Sequence, residues 1–322
     1  MNISDLQKTA EFLRDNDDFL LLAHVNPDGD AIGSTLGLAH LLTRLGKTYT
    51  LFAEEPIPLR YRFLSGSQGY VTSGQRLHQV AVALDCGDRL RMGKAIDRFA
   101  EDVTLLNIDH HSTNDHFGNV YLIDTSASAT SEIVYYLVKH MGIPFDQQIA
   151  SCLYAGIVFD TGGFRYNNTS SDVLRAAAEL LETGINAFDI ADQVLEMMTW
   201  SELQLTREAL TTLHFNESER TATIVVTLEM MAKTSSVASE VEGLVGYTRG
   251  LRGVEVGVLF RELPEGKWKI SLRSKREVNV AEVACTFGGG GHVRAAGCII
   301  AGSLHEVREK VLDAVRVGFA HK

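Results

Sequence analysis

The stretch His24-Val25-Asn26-Pro27-Asp28-Gly29-Asp30-Ala31-Ile32-Gly33-Ser34 decides how the rest of the chain is read. It follows an apolar run, Phe19 to Ala23, that has the length of a buried strand. It leads into Ala31 to Leu45, where apolar residues recur at helical spacing. One His and two Asp thus fall at a strand-to-helix turn that Pro27 and Gly29 keep out of either element. Asn26 and Asp30 could serve only to shape the turn and cap the helix. That accounts for one carboxylate, but not for a His and a second Asp beside it. Imidazole and carboxylate on one short loop are what a hard or borderline divalent cation needs.

Two more strands end in the same way. Val80 to Leu84 runs into Asp85-Cys86-Gly87-Asp88, and Val103 to Ile108 runs into Asp109-His110-His111. Apolar strands alternating with helical segments (4–15, 31–45, and one ending at 98) predict an α/β domain with a mostly parallel sheet flanked by helices. Ligands of open α/β sheets bind at the carboxyl edge of the strands, so the three loops should converge in space. Further helices are expected from near Ser126, around Ile149 to Val158, from Asp172 to Leu181, and over 188–198 and 201–214. Asp160 follows the second of these and precedes Gly162-Gly163. Ser126, Ser128, Thr130 and Ser131 suit a helix start aimed at an anion.

A second, smaller α/β domain is expected from Phe215, with strands at 223–228, 255–260 and 269–272 and helices at 280–287 and 304–317. The expected division is 1–190 for the first domain, 191–214 for a helical linker and 215–322 for the second. Gly288-Gly289-Gly290-Gly291-His292 lies between the last two helices and suits close backbone approach to an anion. From Arg249 to Arg294 nine Lys/Arg face five Asp/Glu, a balance of +4 in a chain whose formal net charge is −11. The overall charge argues against coating long nucleic acid, but not against a small anionic substrate. The apolar runs are strand-length, far below the about 20 residues of a membrane span. Four scattered Cys without paired spacing, and an N-terminus unlike a signal peptide, point to a reduced cytoplasmic setting.

His24, Asp28, Asp30, Asp85, Asp109, His110, His111 and Asp160 are too rich in carboxylate for a structural zinc site. They suit Mn²⁺, with Mg²⁺ or another divalent ion possible, and suffice for two cations. Such a pair activates water and neutralises a phosphate under attack.

HVNPDGDAIGS (24–34), LDCGD (84–88), DHH (109–111) and FDTGGF (159–164) resemble the four motifs of the DHH phosphoesterase family. SLRSK (271–275) and FGGGGHVRAAG (287–297) resemble the signature of the DHH-associated C-terminal domain. The resemblance implies that His24, Asp28 and Asp85 hold one cation, and that Asp30, Asp85, His110 and Asp160 hold the other. It implies that His111 faces the scissile phosphate, that Asp109 orients the histidines, and that Arg273, Gly288, Gly289, Gly290, Gly291 and His292 grip the nucleotide from the second domain. Asn279 departs from the family, where an acidic residue is expected ahead of a helix. Spacing and length resemble the branch that degrades short RNA oligonucleotides to mononucleotides and converts 3′-phosphoadenosine-5′-phosphate to AMP. The implied enzyme works in a cleft between the domains and can form a homodimer. The alternatives are a phosphodiesterase for cyclic dinucleotides or their linear products and, from another class, a non-catalytic nucleotide sensor.

Overall fold

The computed structural model describes residues 2–320. The chain divides into two compact units, Met1–Met197 and Met198–Lys322. The division falls within the stretch 191–214.

Among the described residues the first unit has six strands: β1 (Phe19–Ala23), β2 (Tyr49–Phe52), β3 (Tyr70–Val71), β4 (His78–Leu84), β5 (Phe99–Asp109) and β6 (Val120–Ile123). Their order is β3-β2-β1-β4-β5-β6, and every neighbouring pair is parallel. In β1, Phe19 and Leu21 join one core and Leu20 and Leu22 the other, as a strand buried on both faces requires. Register aligns the strand ends, pairing Ala23 with Leu84 and Leu84 with Ile108. His24 and Asp85 therefore leave the sheet side by side, next to Asp109, the last residue of β5. Strand order reverses between β1 and β4, which makes this edge the switch point where open α/β sheets bind ligands.

Among the described residues the first unit has six α-helices: α1 (Ile3–Asp15), α2 (Gly29–Arg44), α3 (Thr130–His140), α4 (Gln147–Asp160), α5 (Ser171–Leu181) and α6 (Ala187–Ala191); α1, α2 and α3 pack on the sheet and the others pack on helices. Helix α2 packs closely on α4, because a Cβ at Gly33 would stand 2.5 Å from the Cys152 carbonyl oxygen. That approach brings Asp160, on the last turn of α4, to the end of α2 that carries Asp28 and Asp30.

Two expected helices take other forms. Residues 89–98 are 3₁₀ turns broken at Gly93 (φ 54°, ψ −138°), where a side chain would meet Val25. Residues 188–198 contain the end of α6 and a wider π turn, Asp192–Glu196. The short edge strands β3 and β6 have no matching expectation, since two to four residues carry too little periodicity to read.

In the second unit follow α7 (Trp200–Leu210), β7 (His214–Asn216), β8 (Thr221–Val226), α8 (Leu228–Thr234), α9 (Val245–Gly250), β9 (Val256–Leu263), β10 (Lys267–Ser274), α10 (Val280–Cys285), β11 (Gly290–His292), β12 (Ala295–Ala301) and α11 (Leu304–Ala320). The strand order is β11-β12-β10-β9-β8-β7, antiparallel except for β8 with β9. Asn279 itself caps α10, its side chain accepting the Ala281 N–H at 3.1 Å. No helix among the described residues is long and apolar enough to cross a membrane.

Candidate metal centre

The loop after β1 holds two roles in one side chain. Asp28 is the N-cap of α2, its Oδ1 accepting the N–H groups of Asp30 and Ala31 at 3.1 Å each. Its Oδ2 lies 3.7 Å from Nε2 of His24. Capping thus falls to Asp28 rather than to Asp30. Asn26 (φ 55°) and Asp85 (φ 56°) both sit in the left-handed region, a strained setting typical of constrained sites.

Asp30 is fully buried (0% exposed). Its Oδ2 accepts the Thr130 N–H at 2.6 Å and its Oδ1 the Ser131 N–H at 2.8 Å. The start of α3 therefore does face an anion, and the anion is the protein's own carboxylate. Thr130 Oγ1 donates to Asp85 Oδ1 at 3.0 Å, while Ser126 and Ser128 bond elsewhere, to Asp124 and the Asn168 carbonyl.

Asp85 lies at the centre. His24 Nε2 is 3.5 Å from its Oδ2, and His110 Nε2 is 3.6 Å from its Oδ1. His110 Nε2 also lies 3.9 Å from Asp30 and 3.1 Å from Asp160. Potential ligand atoms of His24, Asp28 and Asp85 all fall within 4.8 Å of one another, as do those of Asp30, Asp85 and His110. Both imidazoles are held alike. Nδ1 of His24 donates to the Val25 carbonyl at 2.9 Å, and Nδ1 of His110 to the Ala127 carbonyl at 3.3 Å. With the proton on Nδ1, each Nε2 presents a lone pair to the carboxylates, which is how a metal-binding His is oriented.

His111 is turned the other way. Its Nδ1 donates to Asp109 Oδ1 at 2.7 Å, and Asp109 Oδ2 accepts Asn114 Nδ2 at 2.6 Å. Both oxygens of Asp109 are thus engaged, so Asp109 suits positioning rather than ligation, although it lies within reach of Asp85 and His111.

The electrostatics describe a site built for cations. Burial pushes Asp30 well up, helped by the charges of Asp85 and Asp160, and burial likewise raises Asp160. Burial works against ionised Asp85 too, but His24, His111 and His110 outweigh it and hold that carboxyl well below its usual range. His24 is raised to about 9: burial and Arg91 oppose its charge, and Asp28 and Asp85 prevail. Without cations, protons hold this crowd of carboxylates together. Divalent ions replace them with fewer, stronger charges, so the donor set fits the expected metals.

In the second unit, Arg273 of β10 pairs in register with Ala295 of β12, and Ala295 with His292 of β11. The two candidate substrate residues therefore share one row across three strands. The four glycines are not a free loop. Gly290 and Gly291 lie in β11, and at Gly289 and Gly291 a Cβ would strike the backbone of β12. Close strand packing accounts for those two, while Gly288 (φ 72°) has space around it. The basic surface also holds an acid that the charge count did not reach: half-buried Glu242 accepts Lys269 Nζ at 2.6 Å.

Sequence reading missed the supports of the centre. Asn114 bridges the Cys86 carbonyl, Asn107 and Asp109, and Arg91 reaches His111. Asn168 ties the Asp160 carbonyl to that of Ser128. None carries a sequence signal, since isolated Asn and Arg residues are common in loops.

Residues 18–157 match the model of the DHH family N-terminal domain, and residues 223–317 that of the DHHA1 domain. The chain is 37% identical to the bifunctional oligoribonuclease and PAP phosphatase NrnA of Thermus thermophilus, over 92% of this chain and 88% of that one. It is 29% identical to the protein of the same name from Bacillus subtilis, over 88% and 90%. An exopolyphosphatase-related protein from Bacteroides fragilis superposes with a TM-score of 0.87 at 27% identity, over 98% of this chain and 96% of that one. RecJ from Thermus thermophilus, solved with Mn²⁺, shares the fold at 14% identity and a TM-score of 0.53, over 100% of this chain and 55% of that one. A sheet-edge cluster of His and Asp, both domain models and a relative of this similarity lead to one conclusion: the chain belongs to the DHH phosphoesterase family and is a metal-dependent hydrolase acting on nucleotides.

Proposed function

We propose that this protein hydrolyses short RNA oligonucleotides to mononucleotides and converts 3′-phosphoadenosine-5′-phosphate to AMP in the cytoplasm. The observation that most supports this is the convergence of five donors, His24, Asp28, Asp30, His110 and Asp160, around one shared carboxylate, Asp85. The relative from Thermus thermophilus, named for both activities, adds weight to the choice of substrate. His24, Asp28 and Asp85 hold one divalent cation, and Asp30, Asp85, His110 and Asp160 a second. Mn²⁺ is favoured, because imidazole makes this set softer than an all-oxygen Mg²⁺ site. Bound there, the cations supply activated water and neutralise charge on the phosphate.

The protein's own groups do the rest. Asp109 holds His111 through Nδ1, and His111 faces the scissile phosphate. Arg273, Gly288 and His292 hold the part of the substrate beyond the scissile bond, and Arg273 can do so through two parallel hydrogen bonds. Incubation with Mn²⁺ and labelled RNAs of two to five nucleotides, a longer strand, the bisphosphonucleotide and a cyclic dinucleotide tests the assignment. Turnover of the short RNAs and the bisphosphonucleotide is expected. Exclusive turnover of the cyclic dinucleotide would overturn it.

A further inference from the structure

Arg91, so far only a support that reaches His111, stands beside the candidate centre. It lies in the 3₁₀ turns after β4, on the segment that follows Asp85. Its backbone is fixed on both sides of the Cα. The Arg91 N–H donates to Asp88 Oδ1 at 3.1 Å, and the Arg91 carbonyl accepts the Val25 N–H at 2.8 Å. That second bond ties the segment to the loop bearing His24 and Asp28. The break at Gly93 lets the chain turn away immediately afterwards.

The guanidinium is placed with equal definition. Nη1 donates to His111 Nε2 at 3.4 Å, on the side of the imidazole opposite Asp109. Five aspartates (28, 30, 85, 109 and 160) crowd this centre, yet among the described residues none lies within salt-bridge distance of Arg91. An arginine kept for structure in such surroundings would be expected to pair with a carboxylate. Here an imidazole is its side-chain partner, which leaves most of its five N–H donors for something else.

Charge accounting points the same way. The five aspartates carry one negative charge more than two divalent cations neutralise, and a phosphodiester adds another. A fixed cation beside His111 offsets that excess where charge grows during attack, and its planar fork matches two phosphate oxygens.

We propose that Arg91 is a catalytic residue whose guanidinium, placed by His111 and by the Val25 bond, grips the non-bridging oxygens of the scissile phosphate. The inference rests on the phosphoesterase reading of this centre, but not on which nucleotide is the substrate.

The test compares wild type, Arg91→Ala and Arg91→Lys on a diribonucleotide and on bis-p-nitrophenyl phosphate, with cation content and thermal midpoint measured alongside. Arg91→Ala should keep the wild-type cation content and lose about a hundredfold in kcat on both substrates, the scale of removing one oxyanion donor. Arg91→Lys should lose about tenfold, since it keeps the charge without the fork. Added guanidinium ion should restore Arg91→Ala by about tenfold or more while leaving wild type unchanged. The proposal is overturned if Arg91→Ala stays within about threefold of wild type on the model ester. It is equally overturned if the variant loses cation with its activity, or if guanidinium restores nothing and the Lys variant is as impaired as the Ala variant. Wild type that cleaves the model ester but no dinucleotide would instead fault the substrate reading, leaving Arg91 testable on the ester.

Discussion

Asp85 is the residue on which the centre turns: it is 2% exposed, receives Thr130 Oγ1, and lies within 3.6 Å of Nε2 atoms from both His24 and His110. Asp85→Ala should therefore be the most damaging ligand change, removing both cations and about a thousandfold or more of activity, equivalent to ~4 kcal/mol. Elemental analysis beside kcat/KM checks this, and a variant retaining two cations would contradict the shared role. His111→Ala should keep its cations while losing turnover, because Asp109 and not Asp85 holds its Nδ1. Loss of one cation equivalent there would show that the two histidines exchange roles. The pH dependence has a definite sign. His24 is raised to about 9 in the metal-free fold, so its bound proton stabilises that fold below about 6.5 and the benefit is lost as pH rises towards 9. Cations compete with that proton. The rise in thermal midpoint on adding a divalent ion should therefore grow between pH 6.5 and 8.5, with proton release on binding. A shift independent of pH in calorimetry would contradict it. At this scale the acid and imidazole types were legible in sequence, because they cluster at strand ends. Their hydrogen-bond supports were not, since Asn114 and Asn168 act through geometry that only the folded backbone supplies.

Among the elements, the packing of α2 on α4 and α3 sets the centre's dimensions. A Cβ at Gly156 would stand 2.7 Å from Asp30 Oδ1 and meet the Ser131 side chain as well. Gly156→Ala should thus cost about 1–3 kcal/mol by overpacking and weaken cation binding through the displaced Asp30. Gly243→Ala, with nothing within 4 Å of the added carbon, should change stability by only about 0.5 kcal/mol or less. Equal effects in denaturant melts would contradict the packing account. The strands and long helices were readable because burial on two faces writes continuous apolar runs, as in Phe19 to Ala23. Residues 89–98 were not: their apolar spacing suits a helix, and the steric demand at Gly93 comes from Val25, far away in sequence. The same holds for β11, where part of a glycine run between two expected helices is a strand pressed against β12.

For the whole molecule, the proposed division of labour follows the division of the chain. Every proposed cation ligand lies before residue 161, and Arg273, Gly288 and His292 lie after residue 270. Arg273→Ala and His292→Ala should keep both cations but lose about tenfold or more on di- and trinucleotides, roughly 1.4 kcal/mol or above. They should spare bis-p-nitrophenyl phosphate, which has no distal nucleotide, so the ratio of the two kcat/KM values should fall. An unchanged ratio would remove the second unit from substrate reading. Two α/β units were legible from the change in strand pattern and charge. The parallel β8–β9 pair in an otherwise antiparallel sheet was not, because pairing direction leaves no mark in local composition. The most direct measurement of the whole account is titration of metal-free wild type and Asp85→Ala with Mn²⁺ while following a labelled diribonucleotide. Saturable activation of wild type from no turnover, with mononucleotides as products and a silent variant, is the predicted result. Undiminished cleavage after exhaustive chelation, or a Mn²⁺-loaded wild type that leaves the dinucleotide intact, would contradict it.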